Sequence, residues 1–174
     1  TILNEAFREG LKSLQGKIIE QDWWETHDIL HLKLKIHSTP AHHWSRRTFS
    51  DTNKALWGGF VIETNAKKIF FAGDTGYQDH FKKIQERFQK IDLALLPIGA
   101  FEPRWFMKEA HMNPEDAVQA HIDLSSSQSI GMHFGTFQLT DEGIDDPIKE
   151  LYLAKKKYSI DNFDVLGVGE SKVF

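Results

Sequence analysis

The chain has 174 residues, 40% of them apolar and 26% charged, enough for a globular unit with a sizeable core. Its formal net charge of −4 at pH 7 gives no electrostatic reason to expect nucleic acid as a partner. The absence of cysteine excludes disulfides, thiolate metal ligands and a Cys nucleophile, so any metal must be held by His, carboxylates and water. No apolar run approaches the ~20 residues that span a bilayer, and no signal peptide is expected. A start at Thr1 rather than Met is what a processed product or a fragment would show.

Leu3, Phe7, Leu11 and Leu14 fall at helical spacing and predict an opening amphipathic helix. Residues 17–20 form a short strand candidate. Leu32, Leu34 and Ile36 alternate with His31, Lys33, Lys35 and His37, the period of a half-buried strand, which runs out at Pro40 before His42-His43-Trp44. A second strand at 59–63 turns at Asn65 into a strand over 68–72. From there the elements alternate. Phe81, Ile84 and Phe88 make a helix stripe, and 91–97 reads as a centrally buried strand. Asn113-Pro114-Glu115-Asp116 is a strong helix start, with an N-cap residue, a first-turn proline and acids at the positive dipole end. A strand at 128–132, a helix at 147–157 and a strand at 163–168 complete the series.

Hairpin strands followed by three β-α repeats predict a mixed α+β, or α/β, sheet with helices on one face, in one unit over residues 1–174. Such a sheet leaves its other face apolar. A missing half of the same protein, or a second copy, must cover it.

The segment Ile69 to Tyr77 carries the first chemical signal, an apolar strand running into Gly73-Asp74-Thr75-Gly76. It sets the Asp74 carboxylate on the C-terminal lip of a buried strand, where open sheets bind ligands. His43 and His133 hold comparable positions. Neutral imidazoles and a carboxylate suit zinc and similar divalent ions, and one Asp with two oxygens can bridge two ions ~3.5–4 Å apart. The alternative makes Asp74 a turn residue and the histidines ordinary polar groups. His111 precedes the capped helix and is placed to polarise a leaving oxygen or act as a general acid; a solvated loop histidine is the other reading. In Glu102-Pro103-Arg104-Trp105-Phe106-Met107, Arg104 suits a phosphate while Trp105, Phe106 and Met107 suit acyl chains, unless these residues form a packed loop. His121 reads as structural, and His27, His31, His37 and His80 as surface positions. Asp74-Thr75-Gly76 also matches the aspartic-protease signature, but no second Asp-Thr-Gly is present to share a proton.

Several segments together resemble a known family. Pro40-Ala41-His42-His43-Trp44, Leu56-Trp57-Gly58-Gly59-Phe60, Phe71 to Tyr77 and Leu96-Pro97-Ile98-Gly99-Ala100 look like the metallo-β-lactamase fold. Glu102 to Met107, His111-Met112-Asn113-Pro114-Glu115-Asp116-Ala117-Val118 and Met132-His133-Phe134-Gly135-Thr136-Phe137 narrow this to the N-acyl-phosphatidylethanolamine-hydrolysing phospholipase D branch and its bacterial relatives. The resemblance covers the chain from about Asp22 onward. It implies an αββα sandwich of two β-rich halves, two zinc ions (or other divalent metals), and attack of a metal-activated hydroxide on the phosphorus of a phospholipid-like substrate. It also implies a cytoplasmic or peripherally membrane-associated protein.

Carried over by residue, His43 completes the ligand set of the first zinc and His133 that of the second. Asp74 bridges them, and His111 stands near the substrate phosphate. Phe101 occupies a position where relatives often have tyrosine. The family's His-x-His-x-Asp-His segment is absent, so the chain matches the C-terminal half, with an incomplete site expected for this half alone. Two other readings stay open: a non-catalytic, self-associating fragment, and a lactonase or other hydrolase on the same fold.

Overall fold

The computed structural model describes residues 18–174. The helix expected over Leu3, Phe7, Leu11 and Leu14, and Lys17 of the first strand candidate, lie outside the described residues. Residues 18–20 are irregular rather than strand.

Seven strands form one sheet whose spatial order follows the chain: β1 (Thr26–Ile29), β2 (Leu34–Thr39), β3 (Gly59–Thr64), β4 (Lys68–Phe71), β5 (Leu93–Pro97), β6 (Ser129–Met132) and β7 (Phe163–Asp164). β1 to β4 pair antiparallel, and β4 to β7 pair parallel. The helices are α1 (His80–Phe88), α2 (Arg104–Met107), α3 (Pro114–Asp123) and α4 (Asp146–Tyr158). The change from hairpins to crossovers falls where the sequence period changes from two to 3.6, because parallel neighbours need a long return connection.

Two strands differ from expectation. The alternating run from His31 to His37 is interrupted by a tight 3₁₀ turn over Leu30–Leu32, with Lys33 left-handed at φ 52°. The start of the run is therefore a turn, β2 begins only at Leu34, and a further strand, β1, which alternation did not reveal, precedes the turn. At the other end, the strand expected over 163–168 stops at Asp164, and the chain turns at Gly167, whose N–H donates to the Glu170 carboxylate.

The core lies on one face of the sheet. Val61, Phe70, Ala94 and Leu96 point to that face and pack with Phe81, Ile84, Phe88, Ala117, Val118 and Leu151 from the helices. The alternate strand residues line the opposite face in register. Phe60 opposes Phe71, Ile62 opposes Ile69, and Phe71, Leu95 and Ile130 continue the row across β4, β5 and β6. This row is apolar yet open: Phe60 and Phe71 are 42% and 38% exposed.

α3 begins as the sequence predicts, with a full capping box. The Asn113 side chain accepts the Asp116 N–H at 2.8 Å, and the Asp116 carboxylate accepts the Asn113 N–H. Two histidines taken as surface positions are buried. His80 meets the Phe81 ring at 4.0 Å in a tilted contact, and His37 hydrogen-bonds Thr26 and Glu63 on the helical face, where Phe88 covers it. Alternation could not anticipate the burial of His37, since Thr26, Glu63 and Phe88 come from other elements.

Candidate metal and substrate site

The loops that leave the C-terminal ends of the parallel strands converge at one edge of the sheet. Asp74 follows β4, His111 lies between α2 and α3, and His133 follows β6, while His43 comes from the irregular segment after β2. The His43 and His111 rings meet edge-on with centroids 5.2 Å apart, and the His111 and His133 rings stack at 5.5 Å. His133 Nε2 lies 3.5 Å from Asp74 Oδ1. Four residues spread over 91 positions of sequence thus occupy one cluster.

The turn that carries Asp74 is tightly built. Gly73 is left-handed at φ 67°, which glycine adopts without strain. Gly76 pairs with His42, whose carbonyl accepts the Gly76 N–H at 2.8 Å. A side chain at Gly76 would press on the Glu109 and Lys108 carbonyls at 2.7 and 2.8 Å. Thr75, fully buried, accepts the His42 N–H at 2.9 Å through Oγ1 and meets His80 Nε2 at 3.2 Å, and its carbonyl accepts the Met112 N–H. One threonine therefore ties the His43 segment, the Asp74 turn, α1 and the His111 segment together. Thr75 and His80 were not read as part of the site, because their contribution depends on which loops meet, and only the Asp-Thr-Gly run hinted at it.

The ring nitrogens test whether a metal fits. His43 Nδ1 lies 2.8 Å from the Trp44 carbonyl, which only accepts, so Nδ1 carries the proton and Nε2 keeps the lone pair. That Nε2 is buried without a hydrogen-bond partner, as are Nδ1 of His111 and Nδ1 of His133. Buried polar atoms are rarely left so, and a divalent cation beside a carboxylate is a partner that imidazole nitrogens suit. Among the described residues, however, no three His, Asp or Glu side chains close around a common centre.

Burial, reinforced by His43 and His133, pushes the His111 imidazolium down to about 4. Near neutrality the ring is therefore uncharged. It can donate one N–H to a substrate oxygen, and it holds no extra proton to release as a general acid.

A cleft of about 480 Å³ opens beside His43 and Asp74, walled by Trp44, Arg46, Leu56, Trp57 and Phe60. Trp57 is fixed there by a 3.0 Å bond from its indole N–H to the Ala41 carbonyl. On the other side of the cluster, Arg104 to Met107 form the short helix α2 rather than a loop. Trp105 and Phe106 are 80% and 66% exposed, and Met107 is half-buried. Arg104 meets two groups of the protein itself. Its guanidinium donates to Asp116 Oδ2 at 2.6 Å and to the His111 carbonyl at 2.9 Å. Sequence spacing could not show this, because Asp116 was accounted for as a helix-capping acid.

A further acid organises the loop after β5. The Glu142 carboxylate accepts the N–H groups of Ala100, Phe101 and Glu102 and the Thr140 hydroxyl. Its burial raises the pKa, but these donors outweigh that and hold it below the usual carboxylate range. Nothing in the sequence marked Glu142, which lies 40 residues from the main chain it holds.

The fold and this cluster define a class. The family model described as the β-lactamase superfamily domain matches residues 4–134, three quarters of the chain. The chain belongs to that superfamily and has the metallo-β-lactamase fold. It is 38% identical over 160 residues to N-acyl-phosphatidylethanolamine-hydrolyzing phospholipase D 1 of Caenorhabditis elegans, covering 88% of this chain and 45% of that protein. It is 42% identical over 157 residues to the mitochondrial N-acyl-phosphatidylethanolamine-hydrolyzing phospholipase D of Saccharomyces cerevisiae, covering 82% and 33%. Among solved structures it resembles Igni18, a metallo hydrolase of Ignicoccus hospitalis, with a TM-score of 0.68, 23% identity, and coverage of 95% of this chain and 64% of that one. The chain thus spans between a third and a half of the length of these curated relatives.

Proposed function

We propose that the chain is the C-terminal half of a metal-dependent phosphodiesterase that acts on N-acyl phospholipid-like substrates. The observation that carries this reading is the convergence of His43, Asp74, His111 and His133, with orphaned ring nitrogens, at the sheet edge where such folds hold their ligands. The names of the two 38–42% identical relatives supply the substrate class.

In this reading His43, Asp74 and His133 would hold divalent ions, zinc or another such metal. The remaining ligands come from a His-x-His-x-Asp-His segment in the other half. A bound ion supplies Lewis-acid stabilisation and a nucleophile from water at neutral pH. This chain's own groups orient the phosphate: neutral His111 donates to a phosphate oxygen, and Trp105, Phe106 and Met107 contact the acyl chains. The open row of Phe60, Ile62, Ile69, Phe71, Leu95 and Ile130 is then the inner face of a sandwich, covered by the second half. No helix among the described residues is long and apolar enough to cross a membrane, and the protein works in the cytoplasm or at a membrane surface.

The test compares the full-length protein with the 174-residue chain. Metal per chain is measured after loading with zinc, iron or manganese, together with turnover of N-acyl-phosphatidylethanolamine, bis(p-nitrophenyl) phosphate and a lactone. The expected result is metal retention and phosphodiester turnover in the full-length protein, reduced metal in its His43→Ala and His133→Ala variants, and little turnover by the shorter chain. Two tightly bound ions with normal turnover in the 174 residues would sink the half-site reading. Lactone turnover without phosphodiester turnover would move the substrate class.

A further inference from the structure

We propose that Arg104 is a positioning residue that fixes the His111 main chain, and that it does not bind the substrate phosphate. The proposal rests on the reading of His111 as a phosphate-orienting group. It starts from a mechanical problem: His111 lies in an irregular segment between α2 and α3, yet its ring must sit between His43 and His133. Loop residues are mobile unless their backbone is tied down, and an error of ~1 Å in a positioned group can cost ~100-fold in rate.

The ties are specific. The His111 N–H donates to the Met107 carbonyl at 2.8 Å, and the next N–H, of Met112, donates to the Thr75 carbonyl at 3.0 Å. Neither reaches the His111 carbonyl, which accepts from Arg104 Nη1 at 2.9 Å. The second arm of the same guanidinium donates to Asp116 Oδ2 at 2.6 Å, and this carboxylate also accepts the Asn113 N–H inside the α3 capping box. Arg104 therefore spans from the His111 peptide to the first turn of α3, using the planar fork that only arginine offers. Its own backbone is anchored in turn, because the Arg104 N–H donates to Glu102 and the Glu102 N–H to Glu142.

The same geometry argues against phosphate binding. Two of its N–H groups already serve a carboxylate and a carbonyl, and Asp116 neutralises its charge, so a phosphate gains little from it. An interaction satisfied before substrate arrives contributes through geometry.

Kinetics and amide exchange in the full-length, metal-loaded protein test this, with bis(p-nitrophenyl) phosphate as the probe. Arg104→Met is expected to lower kcat about tenfold or more with KM within about twofold, since it moves a group rather than removing a binding contact. Asp116→Asn, which weakens the same fork, should change kcat in the same direction. In a His111→Ala background, Arg104→Met should change kcat no further than about twofold, because the two residues act as one unit. Amide exchange at Met112 and Asn113 should rise in Arg104→Met and in the milder Arg104→Lys, with β5 unchanged. A tenfold rise in KM at constant kcat, or losses that multiply in the double variant, would overturn the proposal and make Arg104 a phosphate ligand. Unchanged exchange at Met112 and Asn113 would overturn it too. Full activity of His111→Ala alone would instead overturn the role given to His111, and amide exchange would still decide whether Arg104 holds the segment.

Discussion

His80 shows how one side chain beneath a site sets a protein's tolerance of acid. Desolvation, reinforced by His42 and Lys83, pushes its imidazolium down to about 4 from an ordinary 6.5. The folded protein therefore keeps His80 neutral where the unfolded chain would protonate it. The resulting stability is fully present above pH 6.5 and is lost as the pH falls through 6.5 towards 4, roughly 3 kcal/mol in total. Urea unfolding of the metal-free protein at pH 7.5, 6, 5 and 4 should show this loss, and His80→Gln should have a flatter profile over the same window. Identical slopes for the two proteins would mean that His80 titrates alike in both states. His121 contributes in the same sense: burial lowers it while its ring meets the Ser129 hydroxyl at 2.8 Å.

At the scale of elements, the turn 73–76 controls how four loops register against one another. Gly76→Ala would drive a methyl group into two main-chain carbonyls, neither of which can swing aside as a side-chain end could. We expect it to cost ~1–3 kcal/mol and to weaken metal retention, both read by thermal unfolding with and without zinc. Gly135→Ala is the useful comparison, because its added methyl meets nothing within 4 Å although its φ of 76° carries its own strain. Equal losses at the two positions would show that crowding at Gly76 is unimportant.

The same elements show what was legible in the sequence. β3, β4, β5, α1 and α3 could be read because each has one buried face and a marked end, such as Asn65 or Asn113. Asp74 and His133 stood out because each follows an apolar run, and His43 because it follows an alternating strand. β1 was missed because Leu30 and Leu32 continue an alternating pattern through what is a turn. Glu142, Thr75 and the true partner of Arg104 were hidden for a different reason. Their meaning lies in which distant main-chain groups they meet, and spacing does not encode that.

For the whole molecule, the open sheet face gives the sharpest contrast between fragment and full-length protein. Burying a Phe side chain contributes about 1.5–3 kcal/mol relative to leaving it exposed. On the proposed sandwich, in which a second half covers this face, Phe71→Ser should therefore cost about that much in the full-length protein. In the 174-residue chain it should be nearly neutral in urea unfolding and should reduce self-association in light scattering. The same cost in both proteins would mean that the face is covered, or left open, alike in both.

Each strand of this sheet lies beside the strand that precedes it in the chain, from β1 through β7. During synthesis every new strand thus finds its docking edge already laid down, and no pairing has to wait for a segment still inside the ribosome. The parallel pairs from β4 to β7 still need a long crossover before each new strand can dock, so these additions, and not the tight turn from β3 to β4, set the pace of assembly.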